Sequence, residues 1–186
     1  MANMGQPISN GAGDGGFDAR VDSNLRLHVF ATTVPEEHHV NKVNEASWTF
    51  PFDNINPAGN DDYFFVVQNT NKAVRVVARL SITSTVAGFV ELQTVTISTL
   101  SGGSAITPVP HTPGAEVPAD LTVESGVDIT GITDAGVHHF HWLEANKTAH
   151  IELPASIRLK TNRAMALLWT VSTGNLTGGV EIYEEG

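Results

Sequence analysis

Period-two alternation of apolar and polar side chains, punctuated by turn residues, runs through most of this chain and restricts its fold more than any other feature. AVRVVARLSIT (73–83) sets Val74, Val76, Leu80 and Ile82 against Arg75, Arg79, Ser81 and Thr83. A slip near Val77 and Ala78 reads as a β-bulge. LRLHVFATT (25–33) alternates in the same way, Leu25, Leu27 and Val29 against Arg26, His28 and Phe30. Further strands are read at 47–52, 63–68, 86–100, 121–129, 157–160, 164–171 and 179–183, with Pro51 confining the first to an edge or an end. DNINPAGNDD, NTNK, SGGS and STGN are turn or loop clusters. The segment 106–119 holds Pro108, Pro110, Pro113 and Pro118 and is expected to be a long connection. VPEEHHVNKVNE (34–45) is read as a helical turn or a loop. Roughly eight to ten strands with turn signals about every 8–12 residues, and no amphipathic helix of any length, predict an antiparallel β-sandwich or barrel. A jelly roll of two packed sheets is the first expectation. No repeat of fixed period is present, which argues against a propeller or solenoid.

Composition narrows the function classes. Charged residues make up 16% of the 186, against about a quarter in ordinary domains; Thr, Ser, Asn and Gly take their place, as suits strands joined by polar turns. The net charge is -10. The densest basic group, Arg75, Arg79, Arg158, Lys160 and Arg163, is scattered along the chain, so direct nucleic-acid binding is rejected as the main function. The absence of cysteine excludes disulfides, thiolate metal sites and cysteine catalysis. MANMGQPISNGAGDGG lacks the basic and apolar regions of a signal peptide, and AMALLW (164–169) is far too short to span a bilayer. A protein made in the cytoplasm without a membrane anchor is expected.

Two parts are expected: an arm over 1–24 and a β-sandwich domain over 25–186. The arm carries Gly11, Gly13, Gly15 and Gly16 and few apolar residues, too few to bury against its own chain entropy. A flexible terminus is one reading; the functional alternative is an arm that orders against a neighbouring subunit, with Gln6, Pro7, Ile8, Phe17 and Val21 as candidate contacts.

GVHHFHWLEANKTAHIEL (136–153) holds four of the eight histidines. With Ala145 and Asn146 as a two-residue turn, His141 faces His150 and His139 faces Glu152. Phe140, Trp142, Ala149, Ile151 and Leu153 then form a core face; His139, His141, His150 and Glu152, with Thr148, form an outer face. Three imidazoles and a carboxylate within cross-strand reach are a ligand set for Zn²⁺, Ni²⁺, Mn²⁺ or Fe²⁺. The set echoes cupins, in which an H-x-H and a Glu on one strand meet a distant His, but the glycine-rich cupin motif is missing. A polar outer face or a subunit contact explains the same residues without a metal, and no metal or other cofactor is assigned. If copies meet there, protonation near pH 6 is expected to weaken the assembly.

Other chemistry is absent. GAGDGG is neither preceded by a strand nor followed by a helix, SGGSAIT lacks a P-loop lysine, and no G-x-S-x-G elbow occurs. Asp53, Asp61 and Asp62 with Asn54, Asn56 and Asn60 match no EF-hand and read as turn formers. No catalytic residue is assigned. Trp142 and Trp169 are expected in the core and Trp48 exposed, the one candidate for stacking on a sugar.

Three stretches, FVVQNTNK (65–72), GGSAITPVP (102–110) and LPASIRLKTNRAMALLWT (153–170), in this order after the glycine-rich arm, resemble small virion structural proteins encoded by tailed bacteriophages. The resemblance covers most of the chain from Leu25. It implies a non-enzymatic β-sandwich on the virion surface, of the head decoration (cement) type. Such proteins are often homotrimers that clamp the major capsid protein. A tail or neck module that binds carbohydrate or a receptor is the alternative, and a cupin-like metal protein using the histidine hairpin is a third.

Overall fold

The computed structural model describes residues 18–21, 27–30, 46–71, 73–116 and 120–185. The chain divides into two compact units, Met1–His39 and Val40–Gly186. In the first, β1 (Asp18–Val21) and β2 (Leu27–Phe30) pair antiparallel, Val21 opposite Leu27. The strand expected over 25–33 is present at its centre. Gln6, Pro7, Ile8 and Phe17, and the whole of VPEEHHVNKVNE, lie outside the described residues.

The second unit contains β3 (Ser47–Ile55), β4 (Asp62–Asn69), β5 (Val74–Ser84), β6 (Gly88–Ala105), β7 (Val109–Pro110), β8 (Leu121–Leu143), β9 (Thr148–Leu159), β10 (Arg163–Trp169) and β11 (Leu176–Glu185). Among the described residues there is no helix, and every strand pairing is antiparallel. The all-β antiparallel class expected from the alternation is what forms. One sheet has the order β7-β3-β11-β5-β9; the other four strands close into a ring, β10-β4-β8-β6.

A single large core lies between the two. Phe50, Phe52, Leu80, Ile82, Val180 and Ile182 meet Phe65, Val67, Leu92, Leu143, Leu167 and Trp169. Phe52 packs edge-on against Phe64 at 5.5 Å between ring centres, the arrangement the ring quadrupoles favour. A second cluster, Val66, Val95, Ile129, Ala164 and Ala166, fills the opposite face of β4 and β10. Strand β10 is therefore buried on both sides, which is why RAMALLW is apolar without alternation.

The long β6–β8 ladder provides the second covering. It pairs Gly88 with Leu143 at one end and Ala105 with Glu124 at the other, with register shifts at four places between. Each inserted residue bends the ladder and increases its twist. Gly131 is one such point: its φ of 80° and the adjacent Thr99 carbonyl leave no room for a Cβ. The curled ladder returns to pair Leu121–Ser125 of β8 with Asn69–Phe65 of β4, which closes the ring.

In β5 the expected bulge is present. Opposite β11, Arg79 pairs with Glu181 and Val77 with Ile182, so Ala78 is the extra residue. The bulge also inverts the phase of the strand. Val77, Leu80 and Ile82 share the main core, whereas Val76 packs with Tyr183, Val74 and Ala78 on the other face. The grouping of Val74 and Val76 with Leu80 and Ile82 is thus corrected: a strict alternation carried through a bulge assigns the far half to the wrong side. Arg75 is turned inward and is 2% exposed. Its guanidinium lies 5.8 Å from the centre of the Trp48 ring and pairs with Asp120 at 3.3 Å and with Glu184. These partners offset the cost of removing its charge from water.

Trp48 is 4% exposed, contrary to expectation. The proline-rich connector runs alongside it. There β7 pairs with the edge of β3, Trp48 Nε1 donates to the Glu116 carbonyl at 3.0 Å, and both His111 ring nitrogens bond hydroxyls, of Ser47 at 2.9 Å and Thr49 at 2.8 Å. A sequence rich in proline joins the sheet only at its edge, yet it can still lie against the sheet and shield an aromatic side chain.

Deleting Ala78 removes the extra residue and leaves Arg75, Val77, Leu80 and Ile82 on one face of a regularly alternating strand. We expect this variant to keep its cooperative thermal transition in circular dichroism, because its core face is unchanged. Trp169→Ala keeps the phase intact and is expected to melt cooperatively with a loss of about 3–5 kcal/mol.

Candidate functional site

The histidine-rich stretch does not form a hairpin. Strand β8 pairs with β6 and β4, and β9 pairs with β5, so residues 144–147 carry the chain from one sheet to the other. Asn146, with φ of 59°, makes the corner, and its N–H donates to the Ser84 carbonyl at 2.7 Å. Lys147 pairs with Glu144 across the bend. An Ala-Asn turn with a left-handed Asn serves such a corner as well as it serves a hairpin, and only the sheets' packing distinguishes the two.

The consequence differs for the two halves. On β9 the expected faces hold: Ile151 is buried, while Thr148, His150 and Glu152 are exposed. His150 lies opposite Ser81, and Glu152 opposite Arg79. On β8 the faces are exchanged. Leu143 is fully buried, and with it His141 and His139 turn toward the interior. There they line a small crevice with Leu80, Val90, Leu92, Ile151 and Leu167. Their rings stack with centres 6.0 Å apart. The four residues His139, His141, His150 and Glu152 are therefore split between a strand of the ring and a strand of the other sheet, and the cross-strand set drawn from the hairpin register is not assembled. Among the described residues no three His, Cys, Asp or Glu side chains form a group that would hold a metal ion.

What the exchange places outside is aromatic. Phe140 is 58% exposed, Trp142 51% and Phe89 45%. Trp142 pairs across the ladder with Phe89, and Phe140 with Glu91. The Phe89 and Trp142 rings meet edge to face at 4.8 Å. Val137, opposite Gln93, continues the row. The strip lies where the second core cluster has not yet begun: farther along β6, Val95 on the same side is buried beneath the curled ladder. Polar groups flank the strip, Gln93 donating to Glu91 at 2.8 Å and accepting from the Tyr63 hydroxyl at 2.6 Å.

This surface escaped the sequence reading because FHWL is compatible with either phase. Two aromatic rings outweigh one leucine in a hydrophobicity count, so Phe140 and Trp142 were assigned to the core. The discriminating signal is on the partner strand: Phe89 alternates with Val90 and Leu92, and two core aliphatics against one Phe set the phase of β6. The phase of β8 then follows from cross-strand pairing.

Burial in the crevice, and then the neighbouring His139 charge, lower the pKa of His141 from its ordinary 6.5. Above pH 6.5 the ring is neutral whether folded or not and contributes no pH dependence. As the pH falls below 6.5 the unfolded chain takes up the proton first, so the fold loses stability until the lowered pKa is passed. Urea midpoints are expected to fall between pH 7.5 and 5.5, and His141→Gln to make that fall shallower.

No protein-family model matches the chain, and no curated protein matches it at a significant level.

Proposed function

We propose that this chain is a non-enzymatic structural protein of a tailed-phage particle, a decoration protein that sits on the head and stabilises it by subunit contacts. The observation that carries the reading is the strip of Phe89, Phe140, Trp142 and Val137, all exposed and adjacent on one ladder. A contiguous exposed apolar patch rimmed by polar groups is the usual mark of an interaction surface. Trp and Phe held rigidly on a strand lose little freedom on docking, and Trp is enriched among the residues that dominate binding energy. The sequence resemblance supplies the particle, the trimeric state and the major capsid protein as partner. The glycine-rich arm is the second contact in this reading. A location on the virion surface, reached by host lysis, requires no export signal.

The exposed Trp142–Phe89 pair with Phe140 also favours a second reading, a tail- or neck-associated module that stacks sugar rings on an aromatic platform.

The double variant Phe140→Ser/Trp142→Ser tests both. Its side chains lie largely outside the core, so its melting is expected to stay within about 1 kcal/mol of the parent. Self-association in the analytical ultracentrifuge and co-sedimentation with empty heads are expected to weaken at least about tenfold, an interaction loss of about 1.4 kcal/mol or more. Unchanged association would remove the strip from the interface. Fluorescence quenching of the parent by neutral oligosaccharides, lost in the variant, would favour the carbohydrate reading.

A further inference from the structure

A second surface feature lies apart from the aromatic strip and has the opposite chemistry. A cleft of about 470 Å³ opens between the β6–β8 ladder and the turn joining β9 to β10. Its rim carries Arg158, Lys160, Arg163, His138 and His139, and among the described residues no acidic side chain lines it. Three of the ten basic residues of a chain with net charge -10 thus converge on one opening. Arg158 pairs with Glu185 at 2.6 Å. Among the described residues, Lys160 and Arg163 have no acidic partner. The floor is apolar, formed by Leu153, Ile157 and Leu159.

Local backbone geometry makes this convergence. Leu92 pairs with His139 and Gln93 with Val137, so His138 is the extra residue of a bulge in β8. A bulge sends two successive side chains toward one side, where alternation would separate them. His138 thereby reaches the Thr94 hydroxyl through Nε2, and Thr94, His138 and His139 all line the cleft. On the opposite wall Asn162, with φ of 58°, turns β9 into β10 and brings Lys160 and Arg163 to the same rim.

We propose that this cleft is a binding site for an oxyanion, a phosphate, sulfate or carboxylate group, carried free or on a small organic body. Lys160 and Arg163, above an apolar floor, carry charge that no acid among the described residues meets. The guanidinium of Arg163 offers paired N–H donors matched to two oxygens of one anion, and Lys160 adds a point charge. The volume falls within the range of small-molecule sites and exceeds what a single phosphate fills, so the floor has room for an attached ring.

Titration calorimetry of the full chain at low ionic strength tests this, with inorganic phosphate, glucose 6-phosphate and glucose as probes. Saturable binding of both anions and none of glucose is expected. Equal affinities would mean that the oxyanion alone is read, and tighter glucose 6-phosphate that the floor contributes; either outcome supports the site. Lys160→Gln and Arg163→Gln are each expected to weaken binding about tenfold, as removal of one charge-assisted contact does. Arg79→Gln, outside the cleft, should leave it unchanged. The proposal is overturned if neither anion gives a saturable isotherm, if the cleft variants bind like the parent, or if Arg79→Gln loses as much as they do. Melting curves of each variant exclude loss of folding as the cause.

Discussion

A β-strand has two faces, and every residue inserted into one side of a ladder exchanges them. That constraint organises this molecule. The insertion at Ala78 turns Arg75 inward toward Trp48 and Glu184 while leaving Val77, Leu80 and Ile82 in the core. The insertion at His138 sends two neighbouring imidazoles to one side of β8. Both features arise from one-residue changes of register, and each places an ionisable group where strict alternation would not.

The second organising element is a strand buried on both faces. β10 is covered by the five-stranded sheet on one side and by the curled β6–β8 ladder on the other. To achieve this the ladder bends through several bulges and returns to β4. The bend leaves the other end of the same ladder uncovered, and Phe89, Phe140 and Trp142 stand there in solvent. Burial of β10 and exposure of the aromatic strip are thus two results of one curvature.

Much of the architecture was legible in the residues. YFFVVQ, AVRVVARLSIT and AMALLW carried their strands, the slip at Val77 and Ala78 marked its bulge, and four prolines kept the 106–119 connector out of any sheet interior. What misled was phase. Ala-Asn between two strand patterns predicts a hairpin with His141 opposite His150, whereas the chain crosses between sheets there and the histidines of β8 turn inward. Trp48 and Trp142 exchanged roles for related reasons: a distant connector covers the first, and the second stands half exposed beside Phe89. The basic residues Arg158, Lys160 and Arg163 looked scattered along the chain because a turn, not a helix face, gathers them.

The sequence by itself determined the all-β class, the positions of most strands and the absence of cysteine chemistry, because these depend on local periodicity and composition. Tertiary structure decided which strands are neighbours, which face of β8 meets water, and that an acidic chain holds a cationic cleft. Those outcomes depend on contacts between residues far apart in the chain. A short strand of mixed character, such as FHWL, has no local preference strong enough to choose its own side.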